Sequence, residues 1–239
     1  MSSKISGRIG VPTLFVFIVL GMLFGSDGVI KIAFDNYEIA EQICSVALIF
    51  IMFYGGFGTR WSEARPVAGK SVLLSSVGVV LTAVLTGLFC YFVLNMDFLE
   101  GMLIGSVLGS TDAASVFSIL RSRKLNLKYG SASMLELESG SNDPFSYMMT
   151  IIVLTAMSGT MGVGQIAGML ASQLLFGLLV GAGVAFAASR FLNRYQFYGE
   201  GFDTIFIFAV AIISYAFSSL IGGNGYLSTY LTGIILGNQ

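Results

Sequence analysis

Two carboxylates and a carboxamide lie close together in a segment that otherwise has the composition of a membrane-spanning helix. They occur in the run Glu138-Ser139-Gly140-Ser141-Asn142-Asp143-Pro144. A charged side chain inside the hydrocarbon of a bilayer is costly unless it is paired, hydrated or protonated. An ionisable residue at such a position is therefore a candidate functional site, and the chemistry it favours is the binding of an ion or a proton.

Asp143 falls at the centre of an apolar segment, 129–157, which is about 43 Å long if it is helical. Ser139 precedes Asp143 by four residues and shares its face of the helix, and Glu138 stands in the same relation to Asn142. Each acidic residue thus has a helical neighbour able to hydrogen-bond it. The spacing predicts a polar site near the middle of the membrane.

Pro144 follows the aspartate directly and has no backbone N–H. In a regular helix that N–H would donate to the carbonyl of Gly140, so we expect this oxygen to be available to a cation or to water. The alternative is a simple kink in the helix. Oxygen ligands of this kind suit a hard cation, and the chain contains no histidine. The predicted substrate is Na⁺ or K⁺, which competes with a proton for Asp143.

A second polar cluster interrupts the apolar segment 98–120. Gly101, Gly105 and Gly109 are spaced four residues apart, which lets a neighbouring helix approach closely. The polar run 109–115 follows, and it predicts a helix that breaks inside the bilayer and presents carbonyls and helix ends to an ion. The alternative is a continuous helix in which Ser and Thr bond back to their own turn.

The composition predicts a membrane protein. Apolar residues make up 55% of the 239 residues and charged residues only 10%, less than half of what a soluble domain carries. The net charge of −1 gives no basic surface for nucleic acid. The predicted surroundings are therefore a lipid bilayer, with no nucleic-acid partner.

Eight apolar segments alternate with polar connections and predict an all-α, multi-pass helical bundle. The predicted spans are 11–24, 39–57, 71–94, 98–120, 129–157, 166–191, 202–221 and 226–237. Basic residues concentrate near the start, at Lys4 and Arg8, and in the connections 60–70, 121–128 and 190–194. The positive-inside rule places these parts in the cytoplasm.

The segments 9–25 and 221–237 resemble each other and cross the membrane in opposite directions. Opposite orientation of similar segments is typical of the inverted repeats of secondary transporters, although any two glycine-rich membrane helices look somewhat alike. On this interpretation 1–222 is the first repeat with its connecting helices, and 98–120 and 129–157 are the ion-site helices. Residues 223–239 would begin a second, inverted repeat, so both repeats are expected to continue beyond this sequence.

The two motifs together resemble those of a known family. Thr111-Asp112 on one helix and Glu138-Ser139-x-x-Asn142-Asp143 on another are similar to the NhaP-like branch of monovalent cation:proton antiporters, most of all the bacterial potassium/proton antiporters linked to cell-volume regulation. The resemblance implies the inverted-repeat Na⁺/H⁺-antiporter fold with a discontinuous helix. It also implies a homodimer of the full-length protein in the inner (plasma) membrane.

The resemblance implies a role for each site residue. Asp143 would bind the ion, Ser139 and Thr111 would supply further oxygens, and Asp112 would support the crossing of two discontinuous helices. Asn142 and Glu138 would stabilise the site, and Glu138 would do so by pairing with an arginine of the second repeat. Electrogenic relatives carry a second aspartate where this chain has Asn142, which implies electroneutral exchange. No cofactor is implied besides the transported K⁺ or Na⁺ and H⁺.

Two alternatives to transport remain open on the sequence. One is an inert or structural membrane fragment with no transport of its own. The other, more remote, is an intramembrane aspartyl protease, because Asp112 and Asp143 lie on two predicted membrane helices and a carboxylate pair can activate water. The Tyr-Asp and Gly-x-Gly-Asp signatures of such proteases do not occur in this chain, so the sequence favours a transporter over an enzyme.

Overall fold

The computed structural model describes residues 13–122, 127–159, 162–194 and 202–239, and within these ranges all regular structure is helical. This confirms the all-α prediction. Lys4, Arg8 and Lys124 lie outside the described residues. The helices are α1 (Thr13–Phe24), α2 (Tyr37–Phe57), α3 (Trp61–Ala64), α4 (Ala68–Leu94), α5 (Phe98–Leu108), α6 (Ala113–Ser122), α7 (Ser131–Ser158), α8 (Val163–Arg194), α9 (Phe202–Leu220) and α10 (Gly225–Gly237), with a 3₁₀ turn at Lys128–Gly130.

The chain divides into two compact units, Met1–Val46 and Ala47–Gln239. Of the described residues, the first unit contains α1, the connection to α2 and the beginning of α2. The second unit contains the rest of α2 and all later helices. Both predicted ion-site segments lie in the second unit, whose buried core includes Met52, Phe117 and Tyr230.

Among the residues that the structure describes, three helices are both long enough and apolar enough to cross a bilayer: α2, α4 and α8. Shorter apolar helices cover Phe15–Phe24 and Thr204–Leu220. The α7 helix has 28 residues, enough to span a bilayer, but it carries the polar site residues. The predicted span 98–120 is two helices, α5 and α6, with Gly109–Asp112 non-helical between them. The predicted break is therefore confirmed.

A tight reversal sets α4 and α5 side by side. Asn95 ends α4 in the left-handed conformation, with φ 53°. Asp97 then begins α5, and its carboxylate accepts a hydrogen bond of 2.9 Å from the Leu99 N–H. A Cβ atom added at Gly105 would lie 2.7 Å from Cα of Ala83 on α4. As the glycine spacing predicts, the two helices approach at van der Waals distance.

The α7 helix runs unbroken through Pro144 and packs against α4, α5 and α6. Its buried positions are largely small or polar, among them Ser139, Gly140 and Ser146. Hydroxyl groups fasten it to α5: Ser146 donates to the carbonyl of Ser106, and the Ser106 and Thr150 hydroxyls lie 3.1 Å apart. The neighbouring helices thus hold α7 on a polar, closely packed face.

The last helix, α10, is buried along most of its length. Its end lies beside the beginning of α3, where Asn238 donates to the carbonyl of Thr59 at 2.8 Å and accepts from the Trp61 N–H at 2.8 Å. The connection 60–70 is predicted to be cytoplasmic. These contacts agree with the prediction that α10 enters from the opposite side and ends near the cytoplasm.

Candidate ion-binding site

Asp143 is partly buried, at the point where α7 passes the break between α5 and α6. Its Oδ1 atom accepts a hydrogen bond from the hydroxyl of Ser110, one of the four non-helical residues of the break. The break ends one helix and begins another, so this part of the backbone lacks the regular helical hydrogen bonds. The two clusters predicted from the sequence therefore meet at Asp143.

Thr111 connects the break to the preceding turn of α7. Its hydroxyl donates to Oγ of Ser139 at 3.0 Å and accepts from the amide of Asn142 at 2.7 Å. Ser139 and Asn142 are each 1% exposed. Four of the predicted site residues thus lie in one polar group where α7 crosses the break. They are Thr111, Ser139, Asn142 and Asp143.

Glu138 extends this group by one residue. Its Oε1 accepts from the Asn142 amide at 3.1 Å, as the four-residue spacing predicts, and its Oε2 accepts from the Ser139 hydroxyl at 3.3 Å. Ser139, which is spaced so that it could hydrogen-bond Asp143, bonds Thr111 and Glu138 in the structure, and Ser110 donates to Asp143.

Asp112 lies at the start of α6, next to Thr111 in the chain. It is exposed, and its carboxylate accepts from the backbone N–H of Ser115 at 3.2 Å and from the Ser115 hydroxyl. This is how an acidic residue stabilises the first turn of a helix. Asp112 therefore fixes the beginning of α6.

The group is rich in oxygen atoms and poor in positive charge. Within the part of the chain that the structure describes, no basic side chain forms an ion pair with Asp143, Glu138 or Asp112. The Oδ1 atom of Asn142 is buried and has no hydrogen-bond donor among the described residues. A buried acceptor without a donor is unfavourable unless water or a cation contacts it. The oxygen ligands of this group therefore suit a hard cation.

A cavity of about 340 Å³ opens beside the site. Its lining includes Thr111 and Glu138 as well as Gly109 at the break. The cavity is large enough to hold several water molecules.

Sequence reasoning missed two residues of the site. Ser110 belonged to the polar run 109–115 but was not singled out, since nothing in the spacing distinguishes it from Thr111. Asn224 is 1% exposed, and its amide donates to the carbonyl of Pro144 at 3.3 Å. Its only signal is an amide within a glycine-rich turn, which also suits a helix cap.

Comparisons with known proteins agree with this geometry. A family model described as "Sodium/hydrogen exchanger, transmembrane" matches residues 1–239. The chain is 35% identical to the K(+)/H(+) antiporter NhaP2 of Shewanella sp. (strain ANA-3), over 99% of this chain and 41% of that protein. It is 37% identical to the K(+)/H(+) antiporter NhaP of Alkalimonas amylolytica, over 100% of this chain and 42% of that protein.

The fold is similar to that of a solved antiporter. The sodium proton antiporter MjNhaP1 from Methanocaldococcus jannaschii, in a structure at pH 8, superposes with a TM-score of 0.82 and 23% sequence identity. The match covers 99% of this chain and 58% of that one. The chain thus spans about two fifths of the length of the sequence relatives that it matches.

Proposed function

Because the chain belongs to the sodium/hydrogen exchanger family, we propose that it forms the ion-binding part of a membrane transporter that exchanges a monovalent cation for H⁺. The single observation that carries the proposal is the contact between Asp143 on α7 and Ser110 in the break between α5 and α6. This contact places an ionisable group against non-helical backbone, the arrangement that suits a transported ion.

Exchange follows from competition at one carboxylate. Asp143 holds either H⁺ or a cation, and an ionised aspartate without a counter-ion is too costly to carry through the bilayer. Only the two neutralised forms therefore interconvert between outward- and inward-facing states. Since Asn142 has no ionisable proton, exchange at Asp143 alone moves one proton for one cation and is electroneutral.

The remaining site residues have supporting roles in this proposal. Thr111 and Ser139 supply oxygens to the cation, Asn142 and Glu138 hold Thr111 in position, and Asp112 fixes α6. Potassium is the first cation to test, because the two relatives at 35% and 37% identity are named K⁺/H⁺ antiporters. Sodium is the second, since the solved neighbour is named a sodium proton antiporter.

The organisation expected from the sequence belongs to the same proposal. Residues 1–222 form the first repeat, 223–239 begin the inverted one, and the complete transporter is a homodimer in the inner membrane. Two supporting observations are the break at 109–112 and the direction of α10, which ends beside the connection predicted to be cytoplasmic.

The geometry does not support the protease alternative. Two catalytic aspartates must share a proton and activate one water molecule. Here Asp112 accepts from Ser115 on its own helix, Asp143 accepts from Ser110, and no hydrogen bond joins the two carboxylates. The family assignment agrees with a transporter rather than an enzyme.

Reconstitution in liposomes that enclose a pH-sensitive dye tests the proposal. With the full natural protein in the liposomes, addition of KCl or NaCl should move protons across the membrane. The substitution Asp143→Asn should abolish the change in dye fluorescence. Asp35→Asn is the matched control, because it makes the same chemical change at an exposed aspartate between α1 and α2. Exchange that persists in Asp143→Asn contradicts the proposal, and silence of the wild type supports the inert-fragment alternative.

A further inference from the structure

From α4 onwards, the helices of the second unit form two packed groups that contact each other mainly through α7 and α10. One group is α4 to α7, and the other is α8 to α10. At their junction the ring centroids of Tyr147 and Tyr226 lie 5.2 Å apart. The ring of Tyr230 packs directly against Gly140, because a Cβ atom added at Gly140 would lie only 2.5 Å from the nearest ring atoms. The junction therefore passes directly alongside the ion-binding turn of α7.

The buried side-chain amide of Asn224 adds polar contacts to this junction. Its Nδ2 donates to the carbonyl of Pro144 at 3.3 Å, and its Oδ1 accepts from the N–H of Leu227 at 2.9 Å. Its own backbone N–H donates to the carbonyl of Gln173 on α8 at 2.9 Å. One residue thus bonds α7, α8 and α10, and its contact on α7 is the residue next to Asp143.

Capping alone does not account for an asparagine here. A cap needs only an acceptor, and Ser or Asp supplies one as well as Asn. The amide Nδ2 is the part that neither Ser nor ionised Asp has. In this structure that donor bonds the Pro144 carbonyl on α7. The Asn224 amide therefore connects α10 to α7 in addition to capping α10.

We propose that Asn224 is a positioning residue for the exchange reaction, which holds the Asp143–Pro144 segment of α7 against the α8–α10 group and so sets the cation affinity of Asp143. The inference rests on the proposed function. Asn224 acts through the Pro144 carbonyl and contacts no transported ion. When the bond is absent, α7 has one restraint fewer at the aspartate, and the oxygens around it are less well preorganised for the cation.

The test variant is Asn224→Ser, which keeps the cap acceptor and removes the donor to Pro144. The matched control is Thr229→Val, one turn further along α10. Thr229 is 0% exposed, and its hydroxyl bonds the carbonyls of Gly225 and Ala211 within the α8–α10 group. Cation-dependent proton movement is measured in liposomes for the protein as the cell makes it, over a range of KCl concentrations.

Asn224→Ser should raise the half-saturating K⁺ concentration roughly threefold to tenfold, the range that corresponds to one intramolecular hydrogen bond. Its maximal rate should stay above about half of the wild-type rate, and Thr229→Val should leave the half-saturating concentration within about twofold. A merely structural role would lower the maximal rate, through loss of folded protein, and leave the half-saturating concentration unchanged. If Asn224→Ser does not fold, Asn224→Thr carries the same test, since Thr also caps.

The outcomes separate the two proposals. Wild-type exchange with an unchanged half-saturating concentration in Asn224→Ser overturns the inference and leaves the proposed function standing. An equal increase of the half-saturating concentration in Thr229→Val also overturns it. Loss of any buried hydrogen bond of α10 would then have the same effect as loss of the bond from Asn224 to Pro144. A wild type that exchanges no cation for protons overturns the proposed function and the inference together.

Discussion

Single hydroxyl and amide groups decide how Asp143 is presented to an ion. Ser110 donates to the carboxylate, while Thr111 donates to Ser139 and accepts from Asn142. Asn142 keeps one buried acceptor without a donor among the described residues. The site therefore combines a preorganised carboxylate with spare oxygen capacity, which suits reversible binding of a cation.

Replacement of Ser110 by alanine should weaken cation binding. The substitution removes the hydrogen bond that orients the Asp143 carboxylate, and a bond to a charged group contributes about 1.5–3 kcal/mol, or roughly a tenfold to hundredfold change in affinity. The half-saturating K⁺ concentration for proton movement measures this. Ser76→Ala is the control, since the Ser76 hydroxyl bonds carbonyls of its own helix; equal effects of the two substitutions would contradict the prediction.

Asn142→Asp should destabilise the folded protein. The amide now donates to Glu138 Oε1 at 3.1 Å, and an aspartate would instead place a second carboxylate at that distance. We expect a loss of roughly 1–3 kcal/mol, seen as a lower midpoint of thermal unfolding in detergent. The double variant Asn142→Asp with Glu138→Gln should recover most of the loss, because the glutamine amide would again supply a donor. Failure of the second substitution to rescue stability would count against this contact.

At the scale of helices, the site depends on how closely α5 approaches α4. The glycines that permit the approach end where the helix breaks, so the position of α5 fixes where Ser110 and Thr111 meet α7. Asp112 begins α6 on the far side of the break. Two features fix the position of the break: the close packing of α5 against α4, and the capped beginning of α6. The irregular segment between the two helices does not fix its own position.

Gly105→Ala should force α4 and α5 apart. The new methyl group would lie 2.7 Å from Cα of Ala83 and 2.9 Å from its carbonyl oxygen, and backbone cannot yield as a flexible side chain can. Overpacking of this kind costs about 1–3 kcal/mol. Gly183→Ala on α8 is the matched control: nothing lies within 4 Å of its added Cβ, so helix propensity should make it neutral or stabilising. Equal unfolding midpoints for the two variants would refute the close-packing argument.

At the scale of the whole molecule, orientation in the membrane follows from charge. The basic connections predict the cytoplasmic side, and Asn238 at the end of α10 bonds to the connection that leads into α3. The start of α8 is expected on the opposite side, because α8 ends near Arg190 and Arg194.

Labelling with a membrane-impermeant maleimide tests this orientation. Cys44 and Cys90 are first replaced by alanine. A cysteine at Glu63, whose side chain is 56% exposed, should react only in inside-out vesicles. A cysteine at Val163, which is 86% exposed, should react only in right-side-out vesicles. Reaction of both positions from the same side would contradict the predicted topology.

Much of the fold could be predicted from the sequence because the cost of burying charge and unpaired backbone in lipid is severe. That cost determines where the apolar segments run, makes the break at 109–112 visible as a polar run, and singles out Asp143 as an ionisable residue in an apolar segment. The pairing of Glu138 with Asn142 follows from helical periodicity alone. These features are local, so one segment of sequence contains all the information that they need.

Only the tertiary structure decided which groups from separate helices meet. Ser110 rather than Ser139 bonds Asp143, and Asn224 reaches Pro144 across 80 positions of the chain. Both contacts depend on the separation and rotation of packed helices, which small residues such as Gly105 and Gly140 set through three-dimensional fit. Sequence spacing fixes the face on which a side chain lies, whereas its partner on another helix is fixed by how the helices pack.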